Sequence, residues 1–347
     1  MTGQKSFIIG RREIMLGTLA AAGTFALGGH PVRAQVQNVT VVQPSASAIN
    51  SFPIYVAIGE GYFREEGINL RVESLNGSGP VLQALSSGQA QFGRPGPGPV
   101  LSARARGVDV MFIYNLSTRT NFGILVRDGA PYQKPGDMKG LTIGTGTADG
   151  AEVGFARNVL LGAGLKDPAD FKFLTVGDGG PATAGFLRND IQAYVGSTAD
   201  MAILNNRGMK VRDITPAENQ TLFGNGFAAM GATVRDNPDL LTKFGRAVAR
   251  GHAFALNPAN KARVMAHLKA GMPQESEDAA FASALFDAVA AKTIPLDRSK
   301  GFGFQPPESW AEWQKNMLAT GDLKAPLPDI NAAFTNQFVA AWNAGIR

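Results

Sequence analysis

Arg94 is the residue of this chain best placed to do chemistry. It stands in Arg94-Pro95-Gly96-Pro97-Gly98-Pro99, directly after a short expected strand, residues 91–93. Prolines have no backbone N–H and hold φ near −65°, so the loop reads as stiff and extended. A guanidinium at a strand end can clamp a carboxylate, sulfonate or phosphate through parallel hydrogen bonds. A surface arginine, or one paired with a nearby carboxylate, is the competing reading, and both stay open. A second loop, Gly144-Thr145-Gly146-Thr147-Ala148-Asp149-Gly150, also follows an apolar stretch and opens a helix. Its third glycine falls one residue late for a dinucleotide fingerprint, so a tight turn near a small ligand is the better reading. There Thr145 and Thr147 supply hydroxyls, and Asp149 contacts ligand or caps the next helix. Further candidates at strand ends or element starts are Asn50, Ser51, Ser78, Pro95, Asn115, Thr118, Arg119, Asp178 and Ser197. Asp149 and Asp178 could form a carboxylate pair, although turn and cap roles are commoner for Asp in such loops.

Composition excludes several chemistries. The 347 residues include no Cys and three His. A disulfide framework, thiolate metal sites and a Cys nucleophile are therefore ruled out. His252 and His267 fall in separate helical patterns, which suits packing or surface roles better than ligation, since metal and acid–base sites need clustered partners. No cofactor and no metal is expected. The formal net charge is +5, from 33 basic and 28 acidic residues. Lys5, Arg11, Arg12 and Arg33 against Glu13 account for +3 of it, and the remainder carries no basic block. Nucleic-acid binding is not indicated.

Residues 1–34 read as an export leader: a basic start, an apolar run over 14–29 and a small-x-small end at Val32-Arg33-Ala34. That run is too short to span a bilayer. Gly10-Arg11-Arg12-Glu13-Ile14 resembles a twin-arginine signal with Gly in place of the usual Ser/Thr, an ordinary Sec signal with two chance arginines being the other reading, and either leads to the periplasm. After it, strand and helix patterns alternate. Strands are expected over 39–42, 70–73, 91–93, 110–114, 121–126, 141–144, 173–176, 193–195, 211–214 and 227–235. Helices are expected over 52–61, 80–87, 100–107, 151–162, 181–189 and 200–206, and then 258–269, 276–291, 307–319 and 330–344. Leu240, Leu241, Phe244 and Val248 mark one face of another helix starting at Pro238. Such alternation argues for open parallel sheets covered on both faces, with ligands beyond the carboxyl ends of the strands. The trio Trp310, Trp313 and Trp342 reads as packing anchors.

The run Tyr55-Val-Ala-x-x-x-Gly61-Tyr62-Phe63-x-x-Glu66-Gly67-Ile68, with Leu85-x-Ser87-Gly88-Gln89-Ala90-x-Phe92-Gly93, resembles the SsuA/NMT1/THI5-like solute-binding proteins. The resemblance implies an α/β fold of the type II periplasmic binding protein class, two open-sheet domains joined by a two-strand hinge, with C-terminal helices. Residues 35–118 and 226–347 would form one domain and 119–225 the other, with crossings near 117–121 and 223–226. It implies capture of a small organic solute, anionic or aromatic, by a monomer that delivers it to an ABC permease and ATPase in the inner membrane. It also implies that Phe52 and Tyr55 face the ligand, although Phe52 could equally staple the helix entry. The same fold hosts thiamin-pyrimidine synthases and menaquinone-pathway enzymes, which keeps an enzyme as the alternative. The pyrimidine synthases use a Cys-rich motif that this chain lacks.

Overall fold

The computed structural model describes residues 36–346; the leader read in residues 1–34 lies outside them. Ten strands follow in chain order: β1 (Gln37–Gln43), β2 (Ile68–Ser74), β3 (Phe92–Gly93), β4 (Val110–Tyr114), β5 (Phe122–Arg127), β6 (Thr142–Thr145), β7 (Lys172–Thr175), β8 (Ala193–Ser197), β9 (Val211–Asp213) and β10 (Phe227–Met230). They build two five-stranded sheets, β2-β1-β3-β10-β4 and β7-β6-β8-β5-β9. The helices of the first sheet's N-terminal part are α1 (Phe52–Gly59), α2 (Tyr62–Glu65), α3 (Ser78–Ser86) and α4 (Pro97–Ala105). Those of the second are α5 (Ala151–Gly162), α6 (Gly180–Leu187) and α7 (Thr198–Asn206). After β10 the chain is helical: α8 (Gly231–Asp236), α9 (Pro238–Leu256), α10 (Lys261–Gly271), α11 (Ala279–Ala291), α12 (Pro307–Thr320) and α13 (Val339–Asn343).

Neither sheet is wholly parallel, which corrects the expectation from alternation. β1 runs parallel to β2 and β3, and β6 parallel to β7 and β8. β10 is antiparallel to β3 and β4, and β5 is antiparallel to β8 and β9. The physical reason is the route of the chain. β5 and β10 each arrive from the opposite sheet rather than through a helix crossover, so their direction reverses. These two passages lie side by side: Ser117 N donates to Asn225 O at 3.0 Å and Gly224 N to Ser117 O at 2.7 Å.

Helix α9 supplies the centre of the first lobe. Leu240, Leu241, Phe244 and Val248 are all buried at the spacing of one helical face. Phe244 stacks on Phe92 of β3 with ring centroids 3.7 Å apart and meets Phe227 of β10 edge-on. His252, four residues beyond Val248, bonds the Tyr114 hydroxyl at 3.0 Å and Thr293 Oγ1 at 2.9 Å. Burial pushes its pKa down to about 3, so it stays neutral. All three tryptophans are buried. Trp310 stacks on Phe334, and its indole N–H donates to Gln305 Oε1.

Two long elements expected from pattern are broken. The stretch 227–235 is a strand only to Met230, and α8 begins at Gly231, whose N–H bonds Asp109 O. The expected helix 330–344 is a 3₁₀ turn, Ile330–Ala333, and the short α13. Between them Phe334 bridges Phe112 and Thr335 N donates to Phe112 O, so the edge of β4 takes the backbone that the helix would have used.

Candidate functional site

Six loops at the carboxyl ends of strands converge on one cavity of about 320 Å³. Its volume sits at the small end of the range for ligand sites. The first lobe contributes Ser45, Ser47 and Asn50 after β1, Gly77 and Ser78 after β2, and Arg94 after β3. The second contributes Thr147 and Glu152 around the start of α5, Asp178 after β7, and Ser197 and Asp200 at the start of α7. Asn121, Phe122 and Asn225 come from the crossings, and Glu275 and Leu285 from the C-terminal helices.

Arg94 is 4% exposed. Its backbone N–H continues the sheet by donating to Val42 O at 2.9 Å. Its guanidinium makes no hydrogen bond or ion pair among the described residues, and Nε is buried without a partner. Burial pulls its pKa down to about 10, and the nearest opposing influence is the Tyr55 hydroxyl. An unpaired buried cation is rare because desolvation costs several kcal/mol. The loop around it differs from the expected stiff extension. Pro95-Gly96 is extended, but Pro97 is the first residue of α4, where a missing N–H costs nothing.

The opposite wall is acidic. Glu152 Oε1 accepts from Thr147 N at 3.1 Å and Thr147 Oγ1 at 2.9 Å. Asp178 Oδ1 accepts from the Tyr194 hydroxyl at 2.8 Å. Asp200 Oδ2 accepts from Ser197 N and Ser197 Oγ, both at 2.8 Å, closing a capping box on α7. On the near side Glu275 Oε2 accepts from Ala48 N at 2.7 Å and Ile49 N at 3.1 Å. Among the described residues none of these four carboxylates pairs with Lys or Arg. Burial raises the Asp200 carboxyl to about 7, with Asp178 and Glu152 adding to the rise. Burial likewise raises Glu152.

The sign of the resulting pH dependence follows from linkage. Between the ordinary carboxylate range and about pH 7 the folded chain holds a proton at Asp200 that the unfolded chain has lost. Stability therefore falls as pH rises through that window. Unliganded protein is expected to lose stability relative to Asp200→Asn between pH 5 and pH 8. Parallel thermal unfolding curves for the two at both pH values would refute this.

Of the residues chosen from sequence, Asn50, Ser78, Arg94, Thr147, Asp178 and Ser197 line the cavity. The others lie outside its lining. Phe52 is buried in the core, edge-on to His252 and Phe286. Ser51 is buried beside it, and Ser47 Oγ, not Ser51, accepts the Asn50 N–H. Tyr55 turns its hydroxyl to Gln43 Nε2 at 3.3 Å. Pro95, Asn115 and Thr145 are buried. Thr118 Oγ1 donates to Ile294 O at 2.7 Å, and Arg119 reaches the same carbonyl at 3.4 Å, so both brace the crossing against the loop after α11. Asp149 is exposed and faces Gly77 and Gly79 of the other lobe; Gly150, not Asp149, is the N-cap of α5. Glu152, Asp200 and Glu275 escaped the sequence reading. The first two have a signal, an acid in the first helical turn, but it is the signal of dipole compensation. Glu275 has none, because its partners are 226 and 227 positions away.

Two mixed α/β sheets joined by paired crossings, with the cavity between their strand ends, define a periplasmic binding protein fold of the type II class. Residues 48–262 match the model of the NMT1/THI5-like family, and the chain belongs to that family. The riboflavin-binding protein RibY of Chloroflexus aurantiacus is 28% identical over 327 residues, covering 93% of this chain and 92% of that protein. A solved structure from Bordetella bronchiseptica RB50 aligns with a TM-score of 0.74 at 20% identity, over 90% of this chain and 98% of that one. The periplasmic aliphatic sulphonate-binding protein SsuA from Escherichia coli aligns with a TM-score of 0.67 at 16% identity, over 86% and 92%. At these identities the structural likenesses establish the fold.

Proposed function

We propose that this chain is the substrate-binding component of an ABC importer. It captures a small organic solute with an acidic group between its lobes and delivers it to a membrane permease. The observation that carries this reading is Arg94, a buried guanidinium lining the cavity with no partner among the described residues. Family membership supports it, as do relatives named for binding riboflavin and aliphatic sulphonates. Riboflavin itself suits the lining poorly: the ring system is uncharged, and Phe122 is the one aromatic among the described lining residues. In this reading residues 36–118 with 226–346 form one closing body and 119–225 the other, hinged at the paired crossings. Residues 1–34 act as the export signal and place the mature chain in the periplasm. No helix among the described residues is long and apolar enough to cross a membrane.

The enzyme alternative has less support from the lining. The chain has no cysteine. His252 is sealed between Tyr114 and Thr293, and His267 pairs with Glu60 at 2.6 Å on the outside of α1. Native mass spectrometry of purified protein tests the proposal. A non-covalent adduct released unchanged on denaturation is expected. Conversion of that compound by the protein would replace the receptor with an enzyme.

A further inference from the structure

We propose that the solute is amphoteric, with an acidic group held by Arg94 and a protonated amine or other cationic nitrogen held by Asp178 and Asp200 on the opposite wall. This rests on the solute-binding reading and specifies its chemistry. The first ground is charge. One guanidinium shares the cavity with Glu152, Asp178, Asp200 and Glu275, and among the described residues no Lys or Arg lies within ion-pair distance of any of the four. A solute with only an anionic group would satisfy Arg94 and carry its own charge into a cavity already lined by four acids. Like charges repel there. A positive nitrogen at the far end reverses the sign of that interaction.

The second ground is unmet hydrogen bonding. Asp178 uses Oδ1 for Tyr194, and Asp200 uses Oδ2 for both bonds to Ser197. The other oxygen of Asp178, an exposed residue, is open to solvent, and the Oδ1 of the half-buried Asp200 accepts nothing from the described residues. Asn225, 6% exposed, donates from Nδ2 to Arg94 O at 3.4 Å, which directs Oδ1 elsewhere. That Oδ1 and the Oδ1 of Asn121 are buried acceptors without a donor, and both residues line the same cavity. Buried acceptors left without donors are uncommon in folded proteins; these two have almost no surface open to the cavity, so a ligand N–H reaches them only if the amides turn. The acids do not converge as a metal site does: among the described residues no group of three or more His, Cys, Asp or Glu could hold a metal ion. The spread of acceptors suits an organic donor longer than a bare ion.

The test uses matched probes that differ in one amino group, with the intact mature protein at pH 7. Suitable pairs are 3-(aminomethyl)benzoate with 3-methylbenzoate, 4-aminobutyrate with butyrate, and 3-aminopropanesulfonate with propanesulfonate; benzylamine serves as the cation-only control. Calorimetry and thermal shift are expected to show the amino member of at least one pair binding tenfold or more tighter than its partner. Asp178→Asn with Asp200→Asn is expected to abolish that preference while leaving the anion-only member no weaker. Near-parental circular dichroism establishes that the double variant is folded. Should it not fold, the single Asp178→Asn variant, whose carboxylate caps no helix, carries the same expectation at reduced size. Equal or tighter binding of the anion-only members, with Arg94 still required, overturns the amphoteric ligand and leaves the solute receptor standing. No binding by any probe overturns it as well, and a native protein without any adduct then removes both readings.

Discussion

Arg94→Met is expected to make the unliganded protein harder to unfold and its acidic solute easier to lose. The two effects share one cause. Holding the guanidinium charged in a buried site lowers its pKa from the ordinary range to about 10. At about 1.4 kcal/mol per pKa unit, this costs the empty fold on the order of 3 kcal/mol at neutral pH. Methionine fills similar space without charge and recovers part of that. A hydrogen bond to a charged group contributes about 1.5–3 kcal/mol, so affinity for the acidic probe should fall roughly 10- to 150-fold. The pH dependence has a definite sign. Above about pH 10 the folded chain binds fewer protons than the unfolded one, so the parent gains stability and the difference from Arg94→Met narrows. Thermal unfolding from pH 7 to 11, with calorimetry at pH 7, checks both halves. A destabilised variant with parental affinity would make Arg94 a structural residue.

The second large effect is expected from a single methyl group. Gly96 is extended, with φ −81° and ψ 159°, which alanine adopts freely. A Cβ there would overlap the Cβ of Ala151 at the start of α5, on the other side of the cleft. Both atoms are fixed to backbone, so the overlap is relieved only by parting the lobes. Overpacking of this kind costs about 1–3 kcal/mol, and here the closed liganded state bears it. Gly96→Ala should fold as the parent does, bind about 5- to 150-fold more weakly, and show no compaction by small-angle scattering when a binding probe is added. Gly79→Ala is the control. Its Cβ meets the carboxylate of Asp149, an exposed side chain that can rotate away, so little change is expected. Compaction of Gly96→Ala equal to the parent's would refute the closure.

Much of the fold is legible because its signals are local. Glycine and proline punctuate the chain, and apolar runs of strand or helix period lie between them; α5 (Ala151–Gly162) agrees with its expectation to the residue. What sequence misses is decided at a distance. Phe52 and Tyr55 open a helix that is apolar on nearly every side, and only the packing of α9 to α11 against it decides that neither lines the cavity. The break at Phe334 depends on an edge of β4 more than 200 positions earlier. The candidate site follows the same rule. All six strand-end loops contribute to the lining, because topology alone places them at one edge. The acidic character of the wall was hidden, since Asp200 and Glu152 look from sequence like ordinary helix-start acids.

The position of β10 also bears on how the chain is made. Every strand of the second sheet is complete by Asp213, whereas the first sheet waits for Phe227–Met230 to join β3 to β4. A growing chain that ends between residues 214 and 226 can therefore assemble the later-encoded sheet before the earlier one. Until β10 slides between β3 and β4, the first sheet is a three-stranded piece and a separate β4, and the edges of β3 and β4 that face the gap are unpaired. Such edges are templates for pairing with other chains, and closing them needs contacts between distant segments, which form slowly. Synthesis from residue 110 to residue 230 is thus the interval in which this protein is most exposed to aggregation, and the interval a holding chaperone would have to cover.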